Sequence, residues 1–262
     1  MPDPLVIRSD DSVVAVLTLN RPAKRNALSR ALMHELEDHL DRAASESRVR
    51  AVVITGAGTA FCSGMDLGEA ARGGTSAEAE GYAVATLQEY ADLLQKVHTL
   101  PKLTIAAVNG DALAGGAGLM SACDLAIAAT SARIGYPEVL RGLVPSTVMH
   151  DLTRLIGGRR ARHLLLTGGL ILADAAHEWG LVNLVTQPEN CLKESIRTGK
   201  QMIESAPQAV AAIKRQLDEV EGRPRSLRGA AAVSAAIRVG EEAQEGVRAF
   251  LEKRPPRWAQ SP

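Results

Sequence analysis

Two glycine-rich turns carry the residues whose types and spacing could do chemistry. They are Ala60-Phe61-Cys62-Ser63-Gly64-Met65-Asp66-Leu67 and Asn109-Gly110-Asp111-Ala112-Leu113-Ala114-Gly115-Gly116. Each leaves an apolar strand pattern and would present backbone N–H groups free of side-chain obstruction, the second at the start of a short helix. A pair of inward-facing N–H donors is what an oxyanion needs, because donors and helix dipole stabilise negative charge together. Taken separately, each turn is better read as glycine reversing the chain.

Other motifs fail on their context. Gly116-Ala117-Gly118-Leu119-Met120-Ser121 nearly matches a dinucleotide fingerprint, and Glu138 falls about 20 residues after Gly118, where an acidic ribose partner is sought. That fingerprint belongs after a first strand, however, and Glu138 follows Pro137 in a loop-like setting. His34 and His39 stand five residues apart, about 140° round a helix, so they cannot share one metal. No GxSxG surrounds Ser63 and no GxxxxGK[ST] occurs. No metal site is expected.

The elements that must position the turns alternate between strand and helix. Val13 to Leu19 reads as a strand, and Ser29 is a good N-cap for a helix with Leu32, Leu36 and Leu40 on one face. Ala51 to Ile54 is a second strand, and Gly73 to Gly81 is expected to be mobile. A helix with Leu87, Ala91, Leu94 and Val97 on one face ends near Pro101, and strands follow at Thr104 to Val108 and Leu125 to Ala128. The alternation predicts an α/β fold. Beyond residue 145 helix dominates, with a short returning strand in Gly180 to Val185 and breaks at Ala206-Pro207 and Gly222-Arg223-Pro224. A core over residues 1–200 and a helical region over 201–262 are expected. That region is rich in small apolar residues and must pack on its own core or on another subunit.

Composition narrows the function. The 262 residues carry Lys plus Arg 30 against Asp plus Glu 30, so no bulk charge draws the chain to nucleic acid or anionic lipid. Aromatics make up 3%, too few for base-stacking platforms. Three cysteines without CxxC spacing and no long apolar run predict a soluble, cytoplasmic protein.

In combination and order, the motifs say more. Asn20-Arg21-Pro22 with Asn26-Ala27-Leu28 comes first. Ile54-Thr55-Gly56, the Ala60 to Leu67 turn, Asn109-Gly110, Gly115-Gly116, Cys123-Asp124 and Tyr136-Pro137-Glu138 follow. This series resembles the enoyl-CoA hydratase/isomerase (crotonase) family. The likeness runs on through Leu166-Thr167-Gly168 and Gly180-Leu181-Val182 to Phe250-Leu251-Glu252-Lys253-Arg254. The resemblance implies a spiral of ββα turns with a C-terminal helical trimerisation region, as a homotrimer or a hexamer of paired trimers. It also implies an acyl-CoA thioester as substrate, with coenzyme A part of that substrate and no separate cofactor. The thioester carbonyl would be polarised by the N–H groups of Met65 and Gly115. The CoA part would lie near Lys24, Arg25, Ala27, Ser63, Asp66, Leu67 and Gly68, reached by Lys253 or Arg254, although those cations are equally well read as solvated surface charges.

One departure bears on the reaction. Hydratases of the family use two glutamates; the second aligns with Glu138, whereas the first falls at Gly118. Glu138 thus gains a proton-transfer role, against the blander reading of a partner for Arg133 or Arg141. Hydration of a 2-enoyl-CoA, on branched substrates among others, is the leading expectation, with Glu138 positioning the water alone or with Asp111 or Glu89 as a substitute for the absent carboxylate. Isomerisation of a 3-enoyl-CoA, decarboxylation or thioester hydrolysis would need only one carboxylate, and a non-catalytic CoA-binding protein is the further alternative.

Overall fold

The computed structural model describes residues 3–70, 77–223 and 226–259. The chain opens with an antiparallel pair, β1 (Val6–Asp11) and β2 (Val14–Leu19). The first of these was not legible in the sequence. α1 (Arg30–Ser45) follows, capped as expected by the Ser29 hydroxyl, which accepts from the Leu32 N–H at 3.2 Å. Then come β3 (Ala51–Gly56), the short β4 (Ala60–Cys62), α2 (Leu67–Ala70) and α3 (Ala77–Thr99). Of the stretch expected to be mobile, residues 73–76 lie outside the described residues and 77–81 open α3.

The cadence then repeats. β5 (Leu103–Val108), β6 (Asp111–Leu113) and α4 (Gly115–Ala122) form one turn. β7 (Leu125–Ala129), β8 (Arg133–Gly135) and, after a 3-10 turn over Pro137–Arg141, α5 (Ser146–Thr167) form the next. Each turn contributes a long strand to one sheet and a short strand to another, which is the ββα spiral the resemblance implies. The large sheet has the order β1-β2-β3-β5-β7-β10, with β10 at Leu184–Thr186. The small sheet has the order β4-β6-β8-β9, with β9 at Leu170–Leu172.

Parallel register aligns Leu17, Ile54, Ala106 and Ala126 across the large sheet. These face the main core against α1 and α3, while Val16, Val53, Ile105 and Ile127 face the other layer. Burial on both faces explains why the strands read as continuous apolar runs. The second layer is covered by α7 (Cys191–Lys200), which follows α6 (Ala173–Glu178).

The C-terminal region holds α8 (Pro207–Val220), α9 (Arg228–Arg238) and α10 (Glu241–Leu251). The break at Pro207 is where the sequence puts it, and Gly222 and Arg223 lie in the break between α8 and α9; Pro224 lies outside the described residues. α9 packs on the chain's own core through Leu227, Ala231 and Ala235. α8 instead leaves Ile213, Leu217 and Val220 exposed.

Candidate active site

The first turn is fixed by main-chain pairing. Leu28 N–H donates to the Gly64 carbonyl at 2.8 Å, and Asp66 N–H donates to the Leu28 carbonyl at 2.9 Å. In this parallel bridge the N–H of the central residue, Met65, points away from Leu28, and no described group accepts it. Asp66 stiffens the same turn: its Oδ1 accepts from Gly68 N–H at 3.0 Å and its Oδ2 meets Arg21 at 2.9 Å. Gly64, at φ +92°, adopts a conformation that side chains rarely tolerate.

The second turn carries a strained alanine. Ala114, at φ 52° and ψ −127°, is held by its N–H on the Gly135 carbonyl at 2.8 Å. Gly115 then begins α4, where the first N–H groups lack intrahelical partners. The two turns touch: a Cβ on Gly64 would lie 3.0 Å from the Gly115 nitrogen, and one on Gly115 would lie 3.6 Å from Met65 Cγ. Asn109 anchors the approach to this turn, donating from Nδ2 to the carbonyls of Gly56 at 2.9 Å and Gly58 at 3.0 Å.

Glu138 sits in the 3-10 turn after Tyr136. The residue is only half-buried, yet its Oε2 is enclosed and makes no hydrogen bond to any described group. Burial pushes its carboxyl pKa up to about 7, with its own N–H and the charge of Arg141 pulling the other way. Neither blander partner is taken. Arg133 pairs with Asp111 at 2.6 Å, and Arg141 donates to the Pro137 carbonyl at 3.1 Å and lies over the Phe250 ring.

The place of the absent carboxylate is filled. A Cβ on Gly118 would run into Tyr90 Oη and Val148 Cγ1. Tyr90 is buried, and its hydroxyl donates to the Gly115 carbonyl at 2.7 Å. The candidate substitutes are spoken for. Asp111 is held by Arg25 and Arg133, which keep its pKa below the usual carboxylate range, and Glu89 is held by Arg30 and His34. Neither lines the cavity described next, so both are dropped as water-positioning groups.

A cavity of about 360 Å³ joins these parts. Glu138, Met65 and Gly115 line it together with Arg25, Ala27, Ser63, Asp66, Leu67 and Gly68. Lys24 and Lys253 do not, and Arg254 is engaged by Glu245 and Glu252. Tyr90, Arg141, Thr147, Ser234 and Arg238 also line the wall and were missed. Two signals were available: Tyr90 lies three residues past Leu87 on an apolar face, and Arg238 continues the buried stripe of Ala231 and Ala235. Cys62 is buried outside the lining. Among the described residues no group of three His, Cys, Asp or Glu could hold a metal ion, and no helix is long and apolar enough to cross a membrane.

With this geometry in hand, known proteins place the chain. The sequence profile of the enoyl-CoA hydratase/isomerase family matches residues 9–261. Enoyl-CoA hydratase EchA19 of Mycobacterium tuberculosis is 36% identical over 264 residues, covering 98% of this chain and 96% of the relative. The 2,3-dehydroadipyl-CoA hydratase of Escherichia coli is 35% identical over 256 residues, covering 96% and 97%. The crystal structure of an enoyl-CoA hydratase from Mycobacterium avium superposes with a TM-score of 0.86 at 32% identity, covering 98% of this chain and 100% of that one.

Proposed function

The chain belongs to the enoyl-CoA hydratase/isomerase family, and on that premise we propose that it is an enoyl-CoA hydratase working with one carboxyl group. The observation that carries this reading is the Glu138 carboxyl, enclosed at Oε2 and facing the same cavity as the two touching turns. The thioester oxygen accepts from the N–H groups of Met65 and Gly115. Glu138, as carboxylate, takes a proton from a water whose oxygen bonds to C3. The C2=C3 electron pair moves onto the thioester oxygen as an enolate, which the two donors stabilise. Glu138 then delivers its proton to C2 and the carbonyl re-forms, so one water is added and the carboxylate is regenerated.

Each donor of this kind is typically worth about 2.7–4 kcal/mol in the transition state. Tyr90 positions Gly115 by holding its carbonyl, and Asp66 with Arg21 positions Met65. Arg25, Ala27, Ser63, Leu67 and Gly68 are the proposed CoA-side wall. The exposed Ile213, Leu217 and Val220 of α8 support assembly of the chain as a homotrimer or hexamer.

The missing side chain at Gly118 favours one second reading, isomerisation, in which Glu138 removes a C2 proton from a 3-enoyl-CoA and returns it to C4. Crotonyl-CoA and 3-hexenoyl-CoA assayed side by side separate the two. A hydratase bleaches the conjugated enoyl-thioester absorbance of the first, whereas an isomerase generates that absorbance from the second. Turnover of neither would leave a CoA-binding protein.

A further inference from the structure

The cavity wall holds more positive charge than its described carboxylates offset. Arg25 pairs with Asp111 at 2.5 Å and Asp66 pairs with Arg21 at 2.9 Å. Arg141 makes no ion pair with Glu138, but it feels that carboxyl's charge at longer range and donates to the Pro137 carbonyl at 3.1 Å. Arg238 is left over. It is only 8% exposed, lines the cavity, and among the described residues has no carboxylate within ion-pair distance and no acceptor for its guanidinium. Burial lowers its pKa, yet a guanidinium remains charged in proteins. A largely buried guanidinium that faces the cavity without a counter-ion leaves this part of the wall suited to an anion from outside the chain.

The surroundings of Arg238 suit an anion. One turn earlier on α9, Ser234 Oγ donates to the Val144 carbonyl at 2.8 Å and accepts from Ser146 N–H at 3.1 Å. Those bonds fasten α9 to the N-terminus of α5, whose N-cap position is Pro145 and carries no capping side chain. The positive end of that helix dipole therefore adds to the guanidinium field. Thr147, in the first turn of α5, is buried, lines the cavity, and its hydroxyl bonds to no described residue. None of these residues belongs to the Arg25, Ser63 to Gly68 side, where the CoA part is expected.

We propose that the substrate is a 2-enoyl-CoA whose acyl chain ends in a second carboxylate, and that Arg238 with the first turn of α5 binds that carboxylate. This rests on the hydratase reading for the reacting end of the ligand and on the cavity's charge for the far end. It also assigns Arg238 to specificity rather than to the chemical step.

Calorimetry on the intact protein tests the inference without turnover. Succinyl-, glutaryl- and adipyl-CoA are titrated against butyryl-, pentanoyl- and hexanoyl-CoA, pairs that match in chain length and differ in the terminal carboxylate. At least one carboxylated ester should bind about tenfold more tightly than its partner, the scale of one charge-assisted contact. Arg238→Met should abolish that ratio and Arg238→Lys should keep part of it. Equal binding within every pair overturns the inference. So does an Arg238→Met variant that weakens free CoA and both kinds of ester alike, because Arg238 would then serve the nucleotide. If circular dichroism shows that Arg238→Met is unfolded, the wild-type ratios decide alone. Failure of the hydratase reading looks different: a protein that discriminates within the pairs but hydrates neither crotonyl-CoA nor carboxylated enoyl-CoA.

Discussion

The hydroxyl of Tyr90 occupies the space that a side chain at Gly118 would need, and Val148 closes the same space from another direction. The missing carboxylate is therefore not an open vacancy that water or a neighbouring acid can fill. The wall there has been rebuilt in apolar and phenolic groups, and Tyr90 uses its hydroxyl to hold Gly115.

That relationship fixes the sign of a substitution that would otherwise stabilise. Replacing glycine by alanine within a helix is normally favourable by about 0.5–1 kcal/mol. Gly118→Ala should instead destabilise by roughly 1–3 kcal/mol, the usual cost of overpacking. In a Tyr90→Phe, Val148→Ala background the same change should become neutral or favourable. Urea unfolding of the four proteins in this cycle measures the coupling; equal effects of Gly118→Ala in both backgrounds would show that the contact does not matter.

In its proposed role, Glu138 should make activity and stability depend on pH in opposite directions. The carboxylate is the form that accepts a proton, and its pKa is raised by burial to about 7. The value of kcat/KM for crotonyl-CoA should rise about tenfold per pH unit below that point and level off above it.

For stability, the unfolded chain loses this proton near the ordinary value of 4.5, whereas the folded chain keeps it to about 7. Folding free energy contributed by the protonated group is thus fully present below pH 4.5 and is lost as pH rises to 7. At about 1.4 kcal/mol per pKa unit this is on the order of 3 kcal/mol. Relative to wild type, Glu138→Gln should gain about that much between pH 4 and pH 8 in denaturant titrations. A difference that stays constant with pH would mean the carboxyl is not desolvated.

Gly64 tests whether the two turns must touch. Alanine there must adopt φ +92° and press on Ala114 Cβ at 2.8 Å and the Gly115 nitrogen at 3.0 Å. Gly64→Ala should lower kcat by about 10²–10³-fold, the effect of displacing one oxyanion donor. Retention of wild-type kcat in a folded variant would separate the turns from the chemistry.

Asp66 tests the support beneath Met65. Asp66→Ala removes the ion pair with Arg21 and the acceptor for the Gly68 and Glu69 N–H groups. We expect about 1–3 kcal/mol loss of stability from unpaired groups left partly buried. We also expect a fall in kcat larger than any rise in KM, because a mispositioned donor affects the transition state most. A change confined to KM would make Asp66 a substrate contact only.

Much of this site could be read in the sequence because its proposed donors are main-chain groups, and glycine spacing records where main chain must come close. The two turns and the helix start at Gly115 follow from such local signals, whereas Glu138 was singled out by the family resemblance and its enclosure is seen only in the fold. The long strands β2, β3, β5 and β7 were legible for a similar reason, as apolar runs buried on both faces. β1 was not, since five of its six residues are polar or exposed enough to mask a strand. The short strands β4, β6, β8 and β9 have only three residues each, too few for periodicity to register. Tyr90, Thr147 and Arg238 escaped because helices distant in the chain bring them to the cavity; the apolar stripes that carry Tyr90 and Arg238 record that they are buried, not what they meet. The expectation that Asp111 or Glu89 would replace the absent glutamate failed for an electrostatic reason: nearby arginines already hold both.

The most direct measurement is hydration of crotonyl-CoA by Glu138→Gln beside wild type at pH 8, with acyl-CoA binding measured on both. If Glu138 is the one group that moves protons here, kcat falls by at least about 10²–10⁴-fold while butyryl-CoA still binds. A variant that hydrates crotonyl-CoA within about tenfold of wild type would contradict it, and the proton would have to be moved by another group.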